Sequence, residues 1–164
     1  MKKLLLASMA LFMSFVFVAC SSVSDEVIVS EESGVIELIG SDSHDWGDIN
    51  IVGGDASHVF SFQNSGEGDL IINTASTSCM CTSAEITLAN GDQSPVFGMH
   101  KNATWDAVVA SGDEFEVNVV FDPMAHGLSA TGPISRSVML STSDGDFELN
   151  VQGDVLSEED FNNL

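Results

Sequence analysis

From His44 onward, apolar and polar residues alternate with a period of two. His58-Val59-Phe60-Ser61-Phe62-Gln63 sets His58, Phe60 and Phe62 on one face of a strand. Phe115, Val117, Val119 and Phe121 do the same in the clearest alternation of the chain. Shorter strands are expected at Leu70-Ile71-Ile72, Ser137–Ser141 and Phe147–Val151. Asn64-Ser65-Gly66-Glu67-Gly68-Asp69 is turn chemistry, and Ser143-Asp144-Gly145-Asp146 is a hairpin signal. No stretch after residue 24 sustains a helical period. The pattern predicts an all-β, immunoglobulin-like antiparallel β-sandwich of about seven to eight strands. Its core would contain Phe60, Phe62, Phe115, Val117, Val119, Phe121, Leu140, Leu149 and Val151.

The N-terminal part reads differently. Met1-Lys2-Lys3 is a positive start, and Leu4–Ala19 is apolar apart from Ser8 and Ser14. That run is shorter than the roughly 20 residues a spanning helix needs, and small residues follow it, as in a cleaved signal peptide. It ends in Phe17-Val18-Ala19-Cys20. This resembles the bacterial lipoprotein lipobox, although Phe17 stands where that pattern prefers an aliphatic residue. The resemblance implies lipidation at Cys20 and a membrane anchor on the bacterial cell envelope, at the outer membrane or facing the periplasm. The expected organisation is a signal peptide over 1–19 and a lipidated, flexible tether over 20–43. The sandwich would follow over 44–155, and an acidic, frayed tail over 156–164. Within the tether, Val35–Ile39 is β-branched enough to form a first edge strand.

Charge narrows the partners. The chain carries 25 acids against four Lys+Arg, a formal net charge of −21. Two of those four are Lys2 and Lys3, so cleavage leaves Lys101 and Arg136. Such a surface repels nucleic acid and anionic headgroups.

Several short stretches, in order, resemble the bacterial domain of unknown function 1573, a set of secreted immunoglobulin-like domains related to ASH and major-sperm-protein sandwiches. They are Trp46-Gly47-Asp48-Ile49, Phe60–Gly66, Ser78-Cys79-Met80-Cys81-Thr82, Phe121-Asp122-Pro123 with His126-Gly127, Arg136-Ser137-Val138, and Val151–Val155. Ala110-Ser111-Gly112-Asp113 replaces the family's usual Pro-Gly-Glu turn. The resemblance implies a fold and an extracytoplasmic address, and no settled activity.

Chemistry concentrates at Cys79 and Cys81, the only cysteines besides Cys20. On a regular strand they would share a face, with Met80 pointing away. They are candidates for a Cys-x-Cys disulfide, which needs a bend because extended i, i+2 Cα atoms lie near the roughly 7 Å limit. They are also candidates for soft-metal ligands or for buried thiols. A metal site would draw on His100 and His126, each close to a methionine (Met99, Met124), a donor set suited to copper. Either way the pair is expected at a strand end or bend, near the Asp122–Gly127 loop or Met99-His100. Zinc spacing with a second cysteine pair is absent, and His44 breaks the calcium-loop pattern of Asp42–Asp48.

No nucleophile elbow, P-loop or H-E-x-x-H occurs. A Cys81–His nucleophile would lack an oxyanion hole. The expectation is therefore not an enzyme and no obligatory cofactor. It is a lipid-anchored binding or structural module that holds another envelope protein by its edges or loops. Copper handling and a thiol–disulfide role for Cys79 and Cys81 are the alternatives.

Overall fold

The computed structural model describes residues 32–100, 103 and 105–164. The expected signal peptide, Cys20, Lys101 and the first part of the expected tether lie outside these residues. Among the described residues nine strands run in order: β1 (Ile36–Ile39), β2 (Ser43–Asn50), β3 (Ala56–Asn64), β4 (Leu70–Thr77), β5 (Thr82–Leu88), β6 (Ala107–Val109), β7 (Glu114–Phe121), β8 (Gly132–Thr142) and β9 (Gly145–Leu156). One short helix, α1 (Glu158–Asn162), follows. The strands form a four-stranded sheet, β1-β3-β7-β5, and a five-stranded sheet, β2-β9-β8-β4-β6.

The all-β, immunoglobulin-like expectation holds, with three refinements. The pairing is not wholly antiparallel, because β2 runs parallel to β9 while β1, just before it, pairs antiparallel with β3. The chain thus crosses from one sheet to the other between Ile39 and Ser43. Second, the sandwich starts earlier than residue 44: the Gly34 amide donates to Asp69 O (3.2 Å), and β1 lies inside the expected tether. Third, the C-terminal tail is not simply frayed. Ser157 caps α1 by accepting from the Asp160 amide, and Glu158, Glu159 and Asp160 in the first turn favour the helix dipole.

Every expected core residue is buried. Phe62 and Phe115 stack with centroids 5.0 Å apart, and the Phe147 ring stands edge-on to Phe62 at 5.3 Å. Burying such faces supplies most of the stabilisation, about 25 cal/mol per Å² of apolar surface. A second, smaller cluster closes one end: Ile49, Ile51, Cys81, Phe121 and Val155, with Trp46 and Cys79 packed against it. Trp46 is held there by donating its indole N–H to Ser57 O (3.1 Å).

The Asn64–Asp69 turn is built for close approach. A Cβ at Gly66 or Gly68 would run into the backbone of Ser33 or Glu32, so only glycine lets the entering chain lie across this turn. The β8–β9 hairpin closes through Ser143-Asp144, with Gly145 at φ 120°.

Candidate functional site at the Cys79–Cys81 turn

Ser78-Cys79-Met80-Cys81 is not strand but the tight connection between β4 and β5. Small polar residues shape it. The Thr82 amide donates to Cys79 O (3.2 Å), and the Thr77 hydroxyl reaches the carbonyls of Cys79 and Thr82 at 2.9 Å each. Ser78 clamps the turn to β8 with two 2.9 Å bonds: its amide donates to Ser137 O, and its hydroxyl accepts from the Ser137 amide. The bend brings the cysteine Cα atoms to 5.3 Å, and the structure pairs the two as a disulfide. That spacing is ordinary for a disulfide and shorter than an extended strand permits.

The two sulfurs differ in access. Cys81 is 3% exposed, inside the smaller apolar cluster, whereas Cys79 is half-buried. They also differ in neighbours. His126 Nε2 lies 3.5 Å from Cys79 Sγ. It arrives on the loop after β7, which is fixed by the Met124 amide donating to Asp122 Oδ1 (2.7 Å) and the Asp122 amide donating to Cys81 O (2.9 Å). Arg136, on β8, donates from Nε to Cys81 Sγ at 3.2 Å and from Nη1 to Ser135 O at 2.7 Å.

The sequence brings Cys79, Cys81 and His126 together as expected; their donor atoms lie within 4.8 Å of one another. His100 does not join them. It lies with Met80, Val96 and Met99 on an open groove beside the turn. Met124 is exposed on the His126 loop. As a disulfide the sulfurs are not thiolate ligands, and a soft ion would require the reduced pair. Arg136 is the site residue that sequence reasoning missed. Its signal was present: it is one of only four basic residues in the sequence, within the Arg136-Ser137-Val138 stretch. A guanidinium on Cys81 Sγ sets a positive charge against that donor, which repels a cation and favours a thiolate there.

Groove and turn adjoin at Met80, which is 71% exposed between the two cysteines; Val96 is 65% exposed. The groove's floor is Phe97, whose segment bridges to the outer edge of β5 at Ala84.

Comparison with known proteins gives a fold and a family signature. A protein of unknown function from Porphyromonas gingivalis W83 superposes with TM-score 0.56 at 16% identity, covering 80% of this chain and 51% of its own. This chain therefore spans about half the length of that protein, and the likeness shows the fold alone. The ASH / PapD-like domain 7 of human CEP192 gives 0.47 at 13% identity over 74% of this chain and 85% of that one. The secreted serine protease VesC from Vibrio cholerae gives 0.43 at 15% identity, over 77% and 24%. No curated protein matches. Residues 38–96, which include both cysteines of the turn, match the family described as "Protein of unknown function (DUF1573)", the family the sequence resembles.

Proposed function

We propose that this protein is a lipid-anchored β-sandwich of the bacterial cell envelope that works by binding another envelope protein, not as an enzyme. The observation that carries this reading is the groove at the β4–β5 end. Met80, Val96 and Met99 present large apolar side chains to solvent there, around a floor formed by Phe97. Exposed apolar side chains grouped on an acidic surface mark contact sites, and thioethers adapt to irregular partners.

Edge-strand addition is the less favoured mode. The β5 edge is covered by the 93–97 segment, β1 and β6 are short, and β2 carries Asp45 and Asp48 around a register shift. The anchor rests on Phe17-Val18-Ala19-Cys20, the lipobox-like stretch that supports an envelope address for the protein.

In-cell photo-crosslinking from position 80 tests this. One discrete adduct, absent when the probe sits at Glu148 on the opposite hairpin, is the expected result. Equal labelling from both positions would sink it.

Copper handling is a second reading, favoured by the Cys79, Cys81 and His126 donors and opposed by the Arg136 contact. Metal content of the protein purified after export decides it: stoichiometric copper would promote this reading over the first.

A further inference from the structure

The geometry points to Cys79–Cys81 as a thiol–disulfide exchange centre that takes electrons from a dithiol of another protein, with Cys79 as the sulfur attacked and Cys81 as the leaving thiolate. This goes beyond the binding reading and stands on different residues. Three observations carry it. Cys79 is the accessible sulfur and Cys81 the enclosed one, so an incoming nucleophile reaches Cys79. Arg136 donates to Cys81 Sγ at 3.2 Å. A buried sulfur in an apolar cluster would otherwise resist negative charge, and a guanidinium reverses that preference. Third, His126 Nε2 lies 3.5 Å from Cys79 Sγ, within reach of a proton transfer to that sulfur. The strong leaving group, the accessible electrophilic sulfur and the proton relay fall on different residues in the order exchange requires.

A thiolate of the partner dithiol attacks Cys79 Sγ, forming a mixed disulfide. The Cys79–Cys81 bond breaks, and its electron pair leaves on Cys81 Sγ beside Arg136. The partner's second thiol, deprotonated, then attacks its own sulfur in the mixed disulfide. That closes the partner's disulfide and expels Cys79, which takes a proton through His126. The partner is oxidised by two electrons and this protein is reduced by two. Arg136 stabilises the reduced form and so makes the disulfide a better oxidant.

Two measurements on the purified full chain test it, each read by alkylation and mass mapping of the peptide carrying residues 79 and 81, so that Cys20 does not intrude. First, in oxidised glutathione, Cys81→Ser forms a mixed disulfide at Cys79 at least about tenfold faster than Cys79→Ser forms one at Cys81. Equal or reversed rates would overturn the assignment of attacked and leaving sulfurs. Second, in glutathione buffers of graded ratio, Arg136→Gln shifts the equilibrium about tenfold toward the disulfide, about 30 mV for a two-electron couple. Arg136→Lys lies between Gln and wild type. An equilibrium that ignores position 136 removes its role, and a wild-type pair that dithiothreitol does not reduce in the folded protein removes the whole proposal. If Arg136→Gln fails to fold, the Lys variant and the two cysteine variants still decide.

Discussion

The side-chain amide of Asn64, at the end of β3, donates to the carbonyl of Val109 on β6 at 2.9 Å, joining one sheet of the sandwich to the other. Asn64 is 0% exposed, and all of its polar capacity is used. Its second N–H donates to Gly68 O (2.8 Å), and its Oδ1 accepts from the amides of Val35 (3.0 Å) and Gly66 (3.1 Å). One side chain therefore holds the entering chain, the β3–β4 turn and the far sheet. Asn64→Leu should cost about 3 kcal/mol or more, since each orphaned buried group costs about 1–3 kcal/mol. Urea unfolding measures it; a loss under about 1 kcal/mol would show that water replaces the amide. Asn64→Asp keeps the acceptor but faces two carbonyls with a carboxylate, so its deficit should shrink in acid, where the carboxyl can donate.

Phe115 fixes the register of β7. It stacks on Phe62 and is 1% exposed, while Glu116 faces out. Phe115→Ala should destabilise by about 3–5 kcal/mol, a large part of the roughly 5–15 kcal/mol typical of a domain. Glu116→Ala should change stability by under about 0.5 kcal/mol. Comparable losses at both positions, read from the denaturant midpoint, would contradict the register.

Acid sensitivity should have two parts. His58 lies parallel to His44 with centroids 3.6 Å apart and packs edge-on to Phe60. Burial, and secondarily the His44 charge, lower its pKa from the ordinary 6.5. In the window below 6.5 the unfolded chain binds a proton that the fold resists, so stability is full above that value and declines as pH falls through the window. Asp45 is held below the ordinary carboxylate range by the bond from Gln152 and then by the Gly47 amide. Its contribution is present above the ordinary value of 3.8 and disappears only in stronger acid. Melting temperatures against pH should lose the first decline in His58→Gln; an unchanged profile would assign it to other groups.

Lipidation at Cys20 has its own test. Cys20→Ala should move the protein from the detergent phase to the aqueous phase or leave the precursor uncleaved. Unchanged intact mass and partition would rule the anchor out.

Much of this was legible because one face of each central strand is buried, which forces strict alternation. That is why Phe60, Phe62 and Phe115–Phe121 announced themselves. The less legible elements had other reasons to be strands. β2 is mostly polar and only half exposed, held through backbone pairing to β9 and through Gln152 to Asp45. β6 is three residues long. At the site, His126 was legible through the neighbouring Met124, and it does reach the two cysteines. His100 carried similar chemistry in sequence, but its segment is drawn to the β5 edge by Phe97. Arg136 escaped notice because its partner is a sulfur.

The Cys79–Cys81 bond should contribute little to global stability despite its central place. Loop-closure entropy for so short a ring is worth about 1.6 kcal/mol, against about 3 kcal/mol for a 15-residue loop. The reduced pair would also keep its surroundings: Cys81 stays in the apolar cluster with Phe121 and Ile51, and the Ser78 clamp to Ser137 is independent of the sulfurs. Reductant should therefore lower the melting temperature by only about 5 °C, given that 1 kcal/mol moves a domain of this size by a few degrees. A copper chelator should leave it unmoved. A metal-bound site behaves oppositely, since stripping an ion that binds only the fold removes stabilisation by mass action. Two melts on the same sample, one with reductant and one with chelator, thus separate the readings. A large drop with chelator and none with reductant would replace the disulfide by a metal centre.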